Sequence, residues 1–209
     1  MIHVIDYGRG NLFSIGQALR HLGVPFELTS DAGQIREASR LLLPGVGAFG
    51  DAMAGLMARG LAEAVKDAAN RNIPLLGICV GAQMLLSRSE EFGLHEGLDL
   101  IGGTVRRLPE SADGATGQTR IPNVGWRALE AIQEDTVLGN LPANSMAYFV
   151  HSLAPMVDDE QHVAATITIN GAKIPAAIRK GNILGYQFHP EKSGPTGLDL
   201  LQRFVEMKV

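Results

Sequence analysis

The chain has 209 residues, 45% of them hydrophobic and 19% charged, with a formal net charge of −4. That balance describes a globular protein with enough length for a two- or three-layer core, and it predicts one domain over residues 1–209. It argues against a disordered tail and against a polyanion-binding surface, so nucleic acid is not an expected partner, and no apolar run reaches membrane-crossing length. The single cysteine cannot close an internal disulfide and no basic, apolar leader opens the chain, which predicts a cytoplasmic protein.

Short apolar segments alternate with segments of helical period. Residues 2–5 read as a strand; a helix follows from Asn11, with Leu12, Ile15, Leu19 and Leu22 on one face and Gly23 as its stop. Residues 26–28 and 41–43 read as strands, the alanine-rich stretch 51–69 as one helix, and 74–78 as a strand feeding Cys79. Such alternation implies a parallel sheet with helices on both faces and a ligand at the carboxyl ends of the strands, where residues 44–47 and Cys79 fall. From about residue 100 the pattern changes. Residues 104–108, 147–151, 163–169, 176–179 and 183–188 read as strands, with turn signals at Asn170-Gly171 and Gly181-Asn182, so this half is expected to be antiparallel at its edge. Residues 111–119 read as a surface loop, and a last helix starts near Pro195 with Leu198, Leu201 and Phe204 toward the sheet.

The lone cysteine stands in LLGICVGAQ, where an apolar strand meets a glycine-flanked turn. A G-x-C-x-G turn between strand and helix forces the cysteine into a strained conformation, with Gly77 and Gly81 letting neighbouring backbone pass close. The helix beyond it directs free N–H groups toward the sulfur and favours negative charge there. The competing explanation is a small buried hydrophobe. The segment YQFHPEKS decides between them: Pro190 ends a strand and fixes the turn so that His189 and Glu191 can lie on one side. A thiol nucleophile needs a base within hydrogen-bond reach, and the base needs a third group to hold its tautomer and offset its charge. His189 and Glu191 suit those roles.

GICVGAQ, PGVGAFGDAM, YFVHS and QFHPEKS, with the opening DYGRGN, resemble the class I, triad-type glutamine amidotransferases essentially end to end. PGVGAF, where many members carry PGG, together with DYGRGN and HPEKS, narrows the resemblance to the glutaminase subunits of imidazole glycerol phosphate synthases. The resemblance implies a three-layer α/β fold, a mostly parallel central sheet flanked by helices with antiparallel edge strands in the C-terminal half. It implies that Cys79 attacks the carboxamide of L-glutamine, forms a thioester and releases ammonia, while His189 shuttles protons and Glu191 orients it. The Val80 N–H and, after a peptide flip in the Pro44-Gly45-Val46-Gly47 loop, the Val46 N–H would form the oxyanion hole. Gly47, Gln83, Glu91 and the backbone near His151 and Ser152 would hold the amino-acid end of the substrate, although Gln83 and Glu91 could equally be exposed helix-end residues. The implied partner is a (β/α)₈ barrel synthase subunit, joined as a heterodimer, that uses the ammonia to make imidazole glycerol phosphate and an aminoimidazole carboxamide ribotide. Asn11, Trp126, Tyr148 and Lys192 would face it, with core packing the competing explanation for Trp126.

No cofactor is expected. His3, His21, His95 and His162 show no metal-ligand spacing, and His151 matches no triad position, so it reads as a satisfied structural histidine. Two stretches depart from the usual pattern. Where IPHMGWN is usual the chain has Ile121-Pro122-Asn123-Val124-Gly125-Trp126-Arg127, and where VHSY is usual it has Val150-His151-Ser152-Leu153. These leave open a paralogous glutaminase feeding another acceptor, such as a sugar-modifying synthase. Two further alternatives are an idle module of the same fold, against which the intact Cys79, His189 and Glu191 argue, and a free-standing thiol hydrolase, against which the resemblance in the partner-facing stretches argues.

Overall fold

Alternating apolar residues build β1 (Ile2–Ile5), and Asn11 caps α1 (Leu12–His21) by accepting the Ser14 N–H at 3.3 Å. In the computed structural model, which describes residues 1–110, 120–131 and 137–208, the chain continues through β2 (Phe26–Thr29) and α2 (Ala32–Glu37). The second of these was not legible from periodicity, because its six residues bury only Ile35; its N-cap Asp31, which accepts the Gln34 N–H at 2.8 Å, was the available signal. β3 (Arg40–Gly45) leads to α3 (Phe49–Ala58) and α4 (Leu61–Asn70). The single helix expected over 51–69 is therefore two. Gly60 takes φ +66°, a left-handed residue that ends the first helix and re-aims the chain into the second. β4 (Leu75–Cys79) then runs directly into α5 (Val80–Met84).

The second half is richer in strands than its sequence suggested: β5 (Leu86–Ser89), β6 (His95–Glu96), β7 (Ile101–Arg107), β8 (Asn123–Ala128), β9 (Glu130–Ala131), β10 (Met146–His151), β11 (Leu153–Val157), β12 (Val163–Ile169), β13 (Ala172–Lys180) and β14 (Ile183–Tyr186), followed by α6 (Gly194–Glu206). Pro155 hid β11; it is tolerated because β11 lies at the edge of its sheet. The stretch 111–119, expected as a loop, lies outside the described residues.

Eight strands form the main sheet in the order β2-β1-β3-β4-β14-β13-β12-β9. The pairings from β2 through β14 are parallel and those from β14 onward antiparallel, which gives the expected α/β architecture with an antiparallel edge. A smaller sheet, β11-β7-β5-β6, and a ribbon of β8 and β10 complete the strands. The central strands β3 and β4 are buried along nearly their whole length, as a sheet covered on both faces requires. Their carboxyl ends, Gly45 and Cys79, pair side by side.

The elbow between β4 and α5 depends on missing side chains. A Cβ on Gly81 would lie 1.8 Å from the Leu43 carbonyl oxygen, and one on Gly45 would lie 2.5 Å from the Gly81 nitrogen. Replacing Gly81 with alanine is expected to destabilise the chain by about 3 kcal/mol or more, at the upper end of overpacking costs, because rigid backbone and not a flexible side chain must yield. Urea unfolding of Gly81→Ala beside the parent chain measures it.

Candidate active site

Cys79 ends β4 and precedes the first turn of α5 with φ +56° and ψ −113°, backbone torsions that an L-residue rarely adopts. The strain persists because its neighbours cannot move: on a Cβ at Gly77, the Gly81 carbonyl oxygen would stand at 2.6 Å. The thiol is free and only 5% exposed. The helix behind it has only five residues, so the local N–H groups of its first turn matter more than a long helix dipole.

His189 and Glu191 flank Pro190 at the start of the 3₁₀ turn Pro190–Lys192. The imidazole Nδ1 lies 2.9 Å from Glu191 Oε1, and the Glu191 side chain is completely buried. The second carboxylate oxygen, Oε2, has no hydrogen-bond partner among the described residues, which leaves the charge to act on the imidazole. Cys79 also acts on the His189 ring and favours its charged form. Burial alone would lower the His189 pKa; the interactions with Cys79 and Glu191 and the negative charge on both outweigh burial and raise it to about 9. The ring is thus an imidazolium at neutral pH, able to give a proton to a leaving group. The backbone around it is tied to β10: the His189 N–H donates to the Tyr148 carbonyl at 3.0 Å, and the Ser193 hydroxyl donates to the His189 carbonyl at 2.6 Å while accepting the Tyr148 N–H at 2.9 Å.

A cavity of about 350 Å³ opens on the sulfur. Cys79, Val80, His189, Val46, Gly47, Gln83, Glu91, His151, Ser152 and Lys192 are among the residues that line it. Glu191 sits behind His189, outside the lining. Val46 is 38% exposed and Gly47 takes φ +87°, a conformation that a β-branched residue would resist. The start of this loop is anchored by Tyr7, whose buried hydroxyl donates to the Pro44 carbonyl at 2.9 Å. Burial, and next the charge of Cys79, push the Tyr7 hydroxyl well above its usual range, so it remains a donor. Glu91 is no exposed helix-end residue: one carboxylate oxygen accepts the Phe49 N–H at the head of α3 at 2.6 Å. Gln83, which is buried, is no exposed residue either; its amide nitrogen bonds Gln187 Oε1 at 2.9 Å and approaches the Leu153 carbonyl at 3.4 Å.

His151 takes the opposite electrostatic path from His189. Burial drives its pKa down to about 4; the bond to the Leu153 carbonyl opposes this, and Arg127 and His189 add to it. It is a neutral ring that donates from Nδ1 to that carbonyl at 2.8 Å and accepts at Nε2 from Asn123 at 2.8 Å. The expectation of a satisfied structural histidine holds for its ring, although the residue also borders the cavity.

The positions expected to face a partner divide. On the β8–β10 ribbon Trp126 pairs with Tyr148, their rings edge to face at 5.8 Å. Trp126 is 50% exposed, which rules out core packing as its reason to be there. Val124 and Val150 continue the same exposed apolar face. Lys192 is exposed at the cavity rim. Asn11, by contrast, already has a structural task as the cap of α1.

The model of the glutamine amidotransferase class-I family matches residues 3–207. The chain belongs to this family. It is 44% identical over 212 residues to imidazole glycerol phosphate synthase subunit HisH 1 of Legionella pneumophila (strain Paris), covering 99% of each chain. It is also 44% identical over 206 residues to subunit HisH of Moorella thermoacetica, covering 99% of this chain and 94% of the relative. Among solved structures, a chain from the structure of PurLQS from Thermotoga maritima aligns with a TM-score of 0.71 over 98% of this chain and 97% of that one; at 20% identity this likeness speaks to the fold alone.

Within this amidotransferase site, sequence reasoning passed over three residues. Tyr7 and Gln187 lay inside segments already singled out, DYGRGN and YQFHPEKS, but nothing in the pattern says which way a side chain turns. Asn123 was seen only as a departure, whereas it is fully buried and joins His151 to Arg127 Nε, which donates to Asn123 Oδ1 at 2.9 Å. The shifted histidine offers a direct check. By NMR, His189 is expected to titrate near pH 9, and in Glu191→Gln at a lower pH, because removing a carboxylate removes support for the cation. An unchanged midpoint would contradict the coupling.

Proposed function

We propose that the chain is the glutaminase subunit of an imidazole glycerol phosphate synthase, hydrolysing glutamine to glutamate and ammonia in the cytoplasm and passing the ammonia to a barrel-type synthase partner. The observation that carries the chemistry is a strained, cavity-facing Cys79 that shares its cavity with a charged His189, itself held by a buried Glu191. Relatives named as HisH subunits, matched along nearly their whole length, support the pathway.

The reaction follows from the groups present. The Cys79 sulfur attacks the carboxamide carbon of glutamine, and the carbonyl oxygen gathers negative charge that the Val80 N–H meets. His189, a cation at the outset, gives its proton to the departing nitrogen; the carbon–nitrogen bond breaks, ammonia leaves and a γ-glutamyl thioester remains. The neutral His189 then takes a proton from water as the water oxygen attacks the thioester; the tetrahedral intermediate collapses, glutamate leaves with its carboxyl proton lost to solvent, and the sulfur departs as a thiolate beside the restored imidazolium. Glu191 holds the ring and offsets its charge. The free carboxylate oxygen of Glu91 suits the substrate's ammonium group, and Gln83, with its N–H groups already directed at Gln187 and Leu153, has its carbonyl end for the same task.

The face carrying Trp126, Tyr148, Val124 and Val150 is the surface we assign to the synthase, with Lys192 at its rim. It is apolar, half exposed and adjacent to the cavity, through which Val150 connects the two. Handing ammonia directly across such a face avoids its protonation in water.

Cys79→Ala is expected to abolish glutamine-dependent synthesis while leaving synthesis from ammonium salts intact in the complex with the synthase. His189→Asn should be nearly as damaging and Glu191→Gln less so, since one moves protons and the other holds geometry and charge. Glutamine-dependent turnover near the parent rate in Cys79→Ala would overturn the assignment. Coupling is testable separately: a ligand-loaded synthase should raise kcat more than it lowers KM, because a Val46 N–H turned into the cavity meets charge that exists only in the transition state, a donor worth about 10²–10³ in rate. Steady-state kinetics with and without the loaded synthase decides it, equal kcat meaning that the hole is already complete.

A further inference from the structure

A continuous chain of side chains runs from the β8–β10 ribbon to the nucleophile, and its polarity is fixed at both ends. Arg127 is a donor only, so its Nε bond to Asn123 Oδ1, at 2.9 Å, turns the Asn123 amide nitrogen toward His151 Nε2, at 2.8 Å. The imidazole proton must then sit on Nδ1, where it meets the Leu153 carbonyl at 2.8 Å. That carbonyl is an acceptor only, so the end of Gln83 that approaches it at 3.4 Å is the amide nitrogen. The same nitrogen lies 2.9 Å from Gln187, which must therefore present its oxygen to Gln83 and its own nitrogen to the other side. On the other side is Cys79 Sγ, at 3.9 Å, a long contact to a large, polarizable atom. Gln187 is fully buried, so its amide has no water to turn to.

We propose that Gln187 is a further catalytic residue, a hydrogen-bond donor to the Cys79 sulfur that Gln83 and the Leu153 carbonyl hold in the donating orientation. A buried N–H aimed at sulfur favours the thiolate over the thiol and fixes the direction from which the sulfur attacks. It serves again when the thioester breaks and the sulfur regains its charge. His189 supplies the proton; Gln187 has none to give and acts by position and dipole. The inference rests on the glutaminase reading for its meaning in turnover, but not for its effect on the sulfur.

Because Cys79 is the chain's one cysteine, its alkylation by iodoacetamide reports on this sulfur and no other. The titratable groups facing it are His189, with Glu191 behind, and Tyr7, while Glu91 and Lys192 line the same cavity. None of them is altered in Gln187→Met, which keeps the length of the side chain and removes the donor. The expected result on the full chain is a pH midpoint for alkylation raised by about one unit, with kcat for glutamine lowered about tenfold and KM within about twofold. A role in packing alone would lower the unfolding temperature without moving that midpoint. If Gln187→Met does not fold, Gln187→Leu, which also removes the donor and adds no charge, is read in the same way. A folded variant with the parent midpoint and parent kcat overturns the proposal. A raised midpoint, with no glutamine hydrolysed by the parent chain even beside the ligand-loaded synthase, would sink the glutaminase reading and leave the donor role standing.

Discussion

The backbone of α5 lies against the backbones of β3 and β4 with no side chain between them, and the rest of the site is arranged by that contact. Gly45, Gly77 and Gly81 supply it from three elements, each at a place where a Cβ would stand under 3 Å from main-chain atoms. Close approach leaves the chain too little room to leave β4 in an ordinary conformation, so the turn is made by a non-glycine residue at φ +56°. That residue is Cys79. The strain is borne by the buried strands on either side, and what it achieves is directional: the sulfur is lifted out of the sheet, toward the cavity, beside the loop that follows β3.

Two histidines near this cavity show how a fold divides labour between identical side chains. Both are buried, and burial disfavours the charged form of each. His189 overcomes it because two groups that carry negative charge face it, and its pKa rises to about 9. His151 has only neutral partners, a carbonyl and an amide, with the Arg127 cation beyond, and its pKa falls to about 4. One ring can trade protons near neutrality and the other cannot. The second serves as a rigid link, with a single tautomer set by what lies on either side of it.

Legibility from sequence followed the range of the interactions involved. β1, β3, β4, α1 and α6 were readable because their apolar period is local, and the elbow because glycine spacing encodes a conformation directly. The Cys79, His189 and Glu191 set was readable because each residue sits in a distinctive turn. What escaped depended on partners distant in the chain. β8 alternates with a glycine and an arginine in it and makes sense only once β10 is beside it, and β11 carries a proline that only an edge position excuses. The alanine-rich run over 51–69 outweighed its two glycines, although Gly60 was what divided it. The direction of an amide, as in Gln83 or Gln187, is set by the last fixed donor or acceptor in a network, and a sequence holds no trace of it.

The ribbon of β8 and β10 shows why the departures at Asn123 and Arg127 need not disturb the catalytic groups. A two-residue period sends Trp126 and Tyr148 to one face and Asn123 and His151 to the other, each pair directly across the ladder. The outward face can meet a partner while the inward face completes the cavity wall, and six residues per strand serve both. The two faces are not independent, because β10 also holds the turn that carries His189: the Tyr148 carbonyl accepts the His189 N–H, and the Tyr148 N–H donates to Ser193, which in turn bonds the His189 carbonyl. Pressure on the Tyr148 ring therefore acts on a backbone that is one hydrogen bond from His189. On the inward face Asn123 bonds His151 and Arg127 bonds Asn123, so the residues at these two departures leave the histidine satisfied and the cavity wall closed by its own hydrogen bonds.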